Sequence, residues 1–173
     1  MKQISIEKVT LNIGTGKPGP ELEKAKFLLE KLTGQKPVET ITGKRIPGWG
    51  LRPDLAIGCK VTLRRQKAEE VVRLLLQAKD NLINERSFDQ RGNFAFGIQE
   101  YLEIPSVQYI PEVGIMGLEV AVTLQRKGFR VKRRARRTHR IPARHAIGKE
   151  EAMAFAQQYL NIQVTKKSEG EEE

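Results

Sequence analysis

Two stretches of the chain alternate between apolar and polar residues with the two-residue period of a β-strand. In IGCKVTLR (57–64), the apolar residues Cys59, Val61 and Leu63 fall on one face, and polar residues fall on the other. LEVAVTL (118–124) repeats this pattern. Strands that are apolar on one face only are typical of antiparallel sheets, whereas the strands of parallel doubly wound sheets are buried on both faces.

The N-terminal stretch ISIEKVTLNI (4–13) also alternates, but halfway along its apolar residues change parity, that is, they move from even-numbered to odd-numbered positions. Ile4 and Ile6 share one parity, and the apolar residues from Val9 onward have the other. One extra residue in the strand would bring both halves to the same face. The pattern therefore predicts a β-bulge near Glu7 and Lys8.

Helical periodicity predicts three helices, at 21–34 with Gly34 as the stop, at 67–82 and at 149–160. Shorter strands are predicted at 37–42 and 98–104. This order of elements predicts an α+β fold, a two-layer sandwich with a largely antiparallel, mixed sheet. The helices are expected to pack on one face of that sheet and to leave the other face open.

A chain of 173 residues is long enough for one domain with a real core. We expect a single domain over 1–164 and a disordered acidic tail at 165–173. No apolar run approaches the ~20 residues of a membrane helix, and the N-terminus lacks the pattern of a signal peptide. The single cysteine, Cys59, is typical of a reducing compartment and predicts a cytoplasmic protein without a membrane partner.

Charge is distributed very unevenly along the chain. Residues 126–145, called the basic segment below, contain ten Lys or Arg and no Asp or Glu. Removing these ten from the chain's 31 basic residues leaves 21, which equals its number of acidic residues, 21. The whole net charge of +10 therefore comes from this segment, and such a charge calls for an anionic partner.

Nucleic acid is the partner that fits the basic segment best. A nuclear-localisation signal in KRRARR and a membrane-surface helix are alternatives, but the segment has only a weak apolar stripe. Arg outnumbers Lys eight to two, which suits bidentate phosphate contacts and stacking on bases. Signatures of DNA-reading modules are missing, so we expect RNA to bind the basic segment and the open face of the sheet.

One motif suggests a different class of function. GTGKPG (14–19) is a G-x-G-x-x-G run between a strand and a helix, and Glu39 lies where a ribose-binding acid could stand. Pro18 within the motif and Pro20 directly after it oppose a phosphate-binding turn. No carboxylate pair indicates acid–base catalysis, and the two histidines lie among cations rather than metal ligands. We therefore expect no enzyme activity, no cofactor and no metal.

Several motifs occur together in a characteristic order, namely KVTLNIG, LTGQKPVET, GKRIPGWGLR, IGCKVTLR, RSFDQRGNFAFGIQE and GIMGLEVAVTL. This set resembles the universal large-subunit ribosomal protein five family, which binds 5S rRNA. The basic segment followed by KEEAMAF is similar to the archaeal and eukaryotic members, and the archaeal type is favoured. The resemblance implies a structural component of the large ribosomal subunit that anchors 5S rRNA in the central protuberance.

The resemblance and the residue pattern together give a set of candidate contacts. For rRNA, either 5S or 23S-type, these are Asn12, Gln35, Lys36, Lys44, Lys60, Thr62, Arg64, Arg130, Lys132, Arg133, Arg134, Arg136 and Arg137. The loop 43–56 is expected near peptidyl-site tRNA, through Arg45, Trp49, Gly50, Leu51 and Arg52. Neighbouring ribosomal proteins are further expected partners.

Two other functions remain open from the sequence. One is a small nucleotide-binding enzyme that uses the Gly14–Gly19 motif and carries an RNA-binding arm. The other is a free RNA chaperone, which would not remain on the ribosome.

Overall fold

The structure is a computed structural model that describes residues 1–105 and 107–165. Within these residues the strands are β1 (Ile4–Gly14), β2 (Val38–Ile41), β3 (Ala56–Leu63), β4 (Leu82–Asn84), β5 (Phe94–Ile98), β6 (Leu118–Arg126) and β7 (Gln163–Thr165). The helices are α1 (Pro20–Thr33), α2 (Gln66–Gln77) and α3 (Lys149–Leu160). Apart from Thr165, which ends β7, the tail predicted at 165–173 lies outside the described residues.

Five strands form one antiparallel sheet in the order β2-β3-β1-β6-β5. The strands β4 and β7 form a separate parallel pair. The predicted α+β class is confirmed. No helix in the described part of the chain is long and apolar enough to cross a membrane.

The contacts between residues divide the chain into two compact units. The first unit comprises Met1–Val9, Arg64–Phe96 and the described residues from Ala121 onward. The second unit comprises Thr10–Leu63 and Gly97–Val120. Helices α2 and α3 belong to the first unit, and α1, β2 and β3 belong to the second. The single domain over 1–164 stays a prediction.

In the second unit, the alternation predicted for β3 is confirmed. Cys59, Val61 and Leu63 are buried, whereas Lys60 and Thr62 are exposed. Helix α1 packs against β3 and buries its own apolar residues. Burial raises the pKa of the Cys59 thiol from 9.0 to about 11, because it disfavours the charged thiolate. The cysteine is therefore a small core residue.

Burial along β1 changes parity where the sequence predicts it. Ile6 is buried on one side of the change, and Val9, Leu11 and Ile13 are buried on the other. Glu7 lies at the change and is only 8% exposed. The bulge itself stays a prediction, but the change of parity brings a carboxylate into a buried position.

The prediction of a strand at 98–104 is wrong, because the strand in this region, β5, covers Phe94–Ile98 instead. Tyr101 begins a 3-10 helix, and Ile104 follows its end. Both residues are buried, and their spacing of three matches the 3-10 period rather than the strand period of two. The buried hydroxyl of Tyr101 accepts a hydrogen bond from the backbone N–H of Ile110 at 3.0 Å. This hydrogen bond stabilises the 3-10 turn at Tyr101 rather than a continuation of the strand.

Helix α2 is shorter than predicted. It ends at Gln77 instead of continuing to residue 82, because Asp80 and Asn81 adopt positive φ angles of 53° and 56°. Asp and Asn tolerate this left-handed region better than most residues, and it stops a right-handed helix. Leu82 then begins the short strand β4. By contrast, α3 has the predicted bounds, and Gly34 ends α1 in a left-handed conformation with φ of 63°.

The alternation of β3 gives a direct test of the fold. We expect Val61→Asp to lower the free energy of unfolding by about 4 kcal/mol or more, because it buries an uncompensated charge. The neighbouring Thr62→Asp introduces the same group at an exposed position and should change that free energy by about 0.5 kcal/mol or less. Urea unfolding followed by circular dichroism measures both. Equal losses in the two variants would contradict the burial pattern of β3.

Candidate nucleic-acid interface

In the second unit, three of the predicted rRNA contacts lie on the polar face of the sheet. Lys60 and Thr62 are exposed, and Asn12 is half-buried. The side-chain amide of Asn12 donates a hydrogen bond from Nδ2 to Oε2 of Glu119 on β6 at 3.2 Å. This face is therefore mixed in charge, and Glu119 holds the amide of Asn12 in a defined orientation.

Gln35 and Lys36 lie in the turn between α1 and β2. The hydroxyl of Thr33 donates to the carbonyl of Leu29 at 2.7 Å and accepts the backbone N–H of Gln35 at 3.3 Å. The side chain of Lys36 is exposed. The end of α1 thus fixes the backbone of the turn and leaves Lys36 available to a partner.

The loop that carries Lys44, Arg45 and Arg52 folds back on itself as a closed hairpin. Ile46 and Leu51 exchange two backbone hydrogen bonds of 3.1 Å, and a 3-10 turn at Pro47–Trp49 lies between them. Gly50 closes the turn with a φ of 67°, a value that glycine adopts without strain. At the tip, the side chain of Trp49 is 73% exposed. An exposed indole on a closed loop is suited to stacking on a nucleotide base.

In the first unit, Arg126 binds the two ends of the basic segment together. Its side chain is only 7% exposed. Nη2 donates to both carboxylate oxygens of Glu151 at 2.8 Å, and Nη1 donates to the carbonyls of His145 and Ala146 at 3.4 and 3.2 Å. The segment is therefore a closed loop, and this arginine is structural although it counts toward the charge of the segment.

His145 supports the same closure. Its Nε2 lies 3.0 Å from the carbonyl oxygen of Lys127, and its ring meets the ring of Phe129 edge-on at 5.6 Å between centroids. Phe129 is a buried residue of the segment itself. His145 is thus engaged by the protein itself, through groups at the start of the segment.

Two of the predicted rRNA contacts meet at one carboxylate. Nη1 of Arg133 lies 2.6 Å from Oε1 of Glu7, and Nη1 of Arg64 lies 3.9 Å from the same oxygen. Nη2 of Arg133 also donates to the side chain of Gln125 at 3.2 Å. Among the described residues, the other oxygen of Glu7 has no hydrogen-bond partner. Arg133 and Arg64 are therefore partly neutralised within the protein.

The remaining predicted cations of the basic segment are exposed. Arg134 donates from Nε to the carbonyl of Arg137 at 2.8 Å, which closes a turn in which Arg137 has a φ of 54°. Nζ of Lys132 lies 5.3 Å from the ring centroid of Phe129. Within the described residues, Arg130 and Arg136 form no ion pair. Their charges are available to an external anion.

The glycine-rich motif does not offer free N–H groups at its start. The backbone N–H groups of Thr15 and Gly16 both donate to the carbonyl of Ile57 at 2.9 Å. A pyrophosphate needs such donors unpaired. In the described part of the chain, no group of three or more His, Cys, Asp or Glu could hold a metal ion.

The arginine that closes the basic segment predicts a pH dependence of stability. The N–H of Gly148 and the guanidinium of Arg126 lower the pKa of Glu151 from its ordinary 4.5. A carboxylate with a lowered pKa stabilises the fold above about pH 4.5, and this contribution is lost as the pH falls through the lowered pKa. We expect Glu151→Gln to cost about 1 kcal/mol at pH 7, a low value because Glu151 is half exposed.

The measurement is thermal melting between pH 7 and pH 3 for the wild type, Glu151→Gln and the neighbouring Glu150→Gln. Glu150 is exposed and forms no ion pair among the described residues, so it serves as the matched control. The difference between wild type and Glu151→Gln should shrink at low pH. If the difference in melting temperature between wild type and Glu151→Gln stays constant from pH 7 to pH 3, the ion pair of Arg126 and Glu151 does not stabilise the fold as described.

Comparison of the sequence with known proteins identifies the family of this chain. The family model "Ribosomal protein L5" matches residues 1–52, and the model for the C-terminus of the same ribosomal protein family matches residues 56–155. The chain is 50% identical over 165 residues to "Large ribosomal subunit protein uL5" of Nanoarchaeum equitans, with 95% of this chain and 97% of that protein covered.

Proteins of the same name in two other archaea are also similar. The identity is 49% for Sulfurisphaera tokodaii, with 95% of this chain and 93% of that protein covered. The identity is 40% for Methanosphaera stadtmanae, with 95% of this chain and 98% of that protein covered. These matches confirm the resemblance to the archaeal type seen in the sequence motifs, and the chain therefore belongs to the ribosomal protein L5 family.

Proposed function

We propose that this chain is a structural component of the large ribosomal subunit in the cytoplasm, where it binds 5S rRNA and anchors it in the central protuberance. Its relatives carry the name of a large-subunit ribosomal protein. The observation that carries the proposal is the basic segment, a closed loop of ten cations without a single acid. A fixed surface of this charge suits a polyanion.

Each candidate surface is assigned a partner within this proposal. The polar face with Asn12, Lys60 and Thr62, together with Lys36, contacts 5S rRNA. The basic segment makes a second contact, with 23S-type rRNA. The hairpin that carries Trp49 lies near peptidyl-site tRNA, and neighbouring ribosomal proteins complete the surroundings.

No observation favours the nucleotide-binding enzyme, because the N–H groups of Thr15 and Gly16 are already paired. A free RNA chaperone would share the basic segment but would dissociate from ribosomes. Co-sedimentation of the chain with large subunits in high salt separates that function from a stable ribosomal component.

The salt dependence of RNA binding tests the contribution of the basic segment. Arg130, Arg136 and Arg144 are exposed and form no ion pair among the described residues. Replacing all three by Gln should flatten the slope of log affinity against log salt, because each phosphate contact contributes about 0.7 to 0.9 to that slope. We expect a total change of up to about two to three. Arg133 and Arg134 are left intact, because they have contacts within the protein.

The matched control replaces Lys24, Lys31 and Lys67, which are exposed on helices, by Gln. It removes the same net charge from other parts of the chain. Filter binding to 5S rRNA and to 23S-type rRNA at several salt concentrations gives the slopes. If both triple variants change the slope equally, net charge and not the basic segment determines RNA binding.

The polar face of the sheet is tested by Asn12→Ala and Thr62→Ala. We expect both variants to weaken 5S rRNA binding. Thr62 is exposed, so Thr62→Ala should leave the melting temperature close to that of the wild type, since substitutions at exposed sites usually cost about 0.5 kcal/mol or less. Asn12→Ala also removes the hydrogen bond to Glu119, which should cost about 1 kcal/mol and lower the melting temperature only slightly. Val61→Ala on the opposite face should instead lower the melting temperature by removing buried methyl groups. Normal 5S rRNA affinity in Asn12→Ala and Thr62→Ala would show that RNA binds elsewhere.

A further inference from the structure

The first unit contains a cavity of about 620 Å³ that is partly formed by the basic segment. Its buried lining is apolar and comes from Leu124, Phe129 and Ile147, with the half-buried Ile141 beside them. Cavities of about 300 to 1,000 Å³ are typical of sites for small organic ligands. The volume is therefore sufficient for a single nucleoside.

The exposed part of the same cavity is cationic. Arg91, Lys132 and Arg140 line it, and no Asp or Glu does. Within the described residues, neither Arg91 nor Arg140 forms an ion pair. A ligand that fits must therefore combine an apolar, planar or compact part with a negatively charged part that remains near solvent.

Two polar side chains of the lining can form directional hydrogen bonds. Asn93 is held in place, because its Nδ2 donates to Asp89 at 2.8 Å and its Oδ1 accepts the N–H of Leu124 at 3.3 Å. Each of these amide atoms retains a second hydrogen-bonding position. Thr123 is half-buried, and its hydroxyl has no partner among the described residues. Both groups are suited to the edge of a nucleobase.

The turn that supports Arg91 and Asn93 is rigid. Oδ1 of Asp89 accepts the backbone N–H groups of Arg91 and Asn93 at 2.9 and 2.7 Å. Gly92 has a φ of 76°, and a Cβ at this position would lie 2.6 Å from Cγ2 of Ile147. Only glycine allows this approach, so the wall of the cavity is defined before any ligand binds.

We propose that this cavity receives the base of one unpaired RNA nucleotide, whose phosphates are bound by Arg91, Lys132 and Arg140. Unpaired bases are the part of RNA that proteins read by stacking and by hydrogen bonds to base edges. A phosphate alone would leave the volume beside the half-buried Ile141 and the exposed Ala146 unfilled, and a paired base is held inside the stack of its duplex. This inference rests on the proposed function and adds that the basic segment selects a particular RNA conformation.

The test uses the full chain and short RNA duplexes that differ by one bulged nucleotide, with A, C, G or U at the bulge in turn. Stacking of a base on a protein contributes about five- to 150-fold in affinity. We expect the wild type to bind at least one bulged duplex about fivefold or more tightly than the fully paired duplex in fluorescence anisotropy at constant salt. Equal affinities for all duplexes would overturn the proposal.

The decisive variant is Ala146→Phe, which fills the cavity without changing any charge, because Ala146 is an exposed residue of the lining. Its matched control is Ala143→Phe, which introduces the same ring in the same short turn but outside the lining. Ala146→Phe should lose the preference for the bulge and keep the salt slope, whereas Ala143→Phe should keep both. If both variants keep the preference for the bulge, or both lose it, the cavity does not receive the unpaired base.

If Ala146→Phe melts early, Arg140→Gln and Arg136→Gln replace this pair. Both remove one exposed cation, but only Arg140 lines the cavity. Arg140→Gln should reduce the preference for the bulge, and Arg136→Gln should weaken binding of bulged and paired duplexes alike. If the proposed function itself is wrong, the chain will bind neither 5S rRNA nor 23S-type rRNA, and this result is distinct from a loss of the bulge preference alone.

Discussion

The guanidinium of Arg126 is the contact on which the arrangement of the basic segment depends. This one group binds Glu151 of α3 and two carbonyls at the far end of the segment. Ten cations in twenty residues repel one another, and without such a tie the chain between them would extend. One buried arginine thus keeps the other charges in a compact loop, which buries its own Phe129.

The two internal carboxylates that bind this segment have a common property: neither belongs to it. Glu151 lies on α3, and Glu7 lies on β1 where the burial pattern changes parity. The segment itself remains free of acids, so its outward surface carries no competing negative charge. Compensation from other elements stabilises the loop at the cost of partly neutralising Arg133, whereas exposed cations outside these pairs, such as Arg130 and Arg136, stay available to an anion.

Local periodicity was sufficient to predict much of the fold. The alternation of β3 and the bounds of α3 follow from nearest-neighbour patterns, and both are confirmed. The strand predicted at 98–104 is wrong, because Tyr101 is fixed by a hydrogen bond to a residue nine positions away. Likewise, composition located the basic segment, but the roles of Arg126 and Glu7 depend on contacts across more than twenty residues, which no local pattern reveals.

The burial of Cys59 has a practical consequence for experiments on this chain. It is the only cysteine in the sequence, and because burial raises the pKa of its thiol to about 11, little of it is thiolate at pH 8. Alkylating reagents attack thiolates, and this one is also shielded from solvent. A cysteine introduced on the surface can therefore be labelled selectively with a fluorophore or cross-linker, and the native residue does not need to be replaced first.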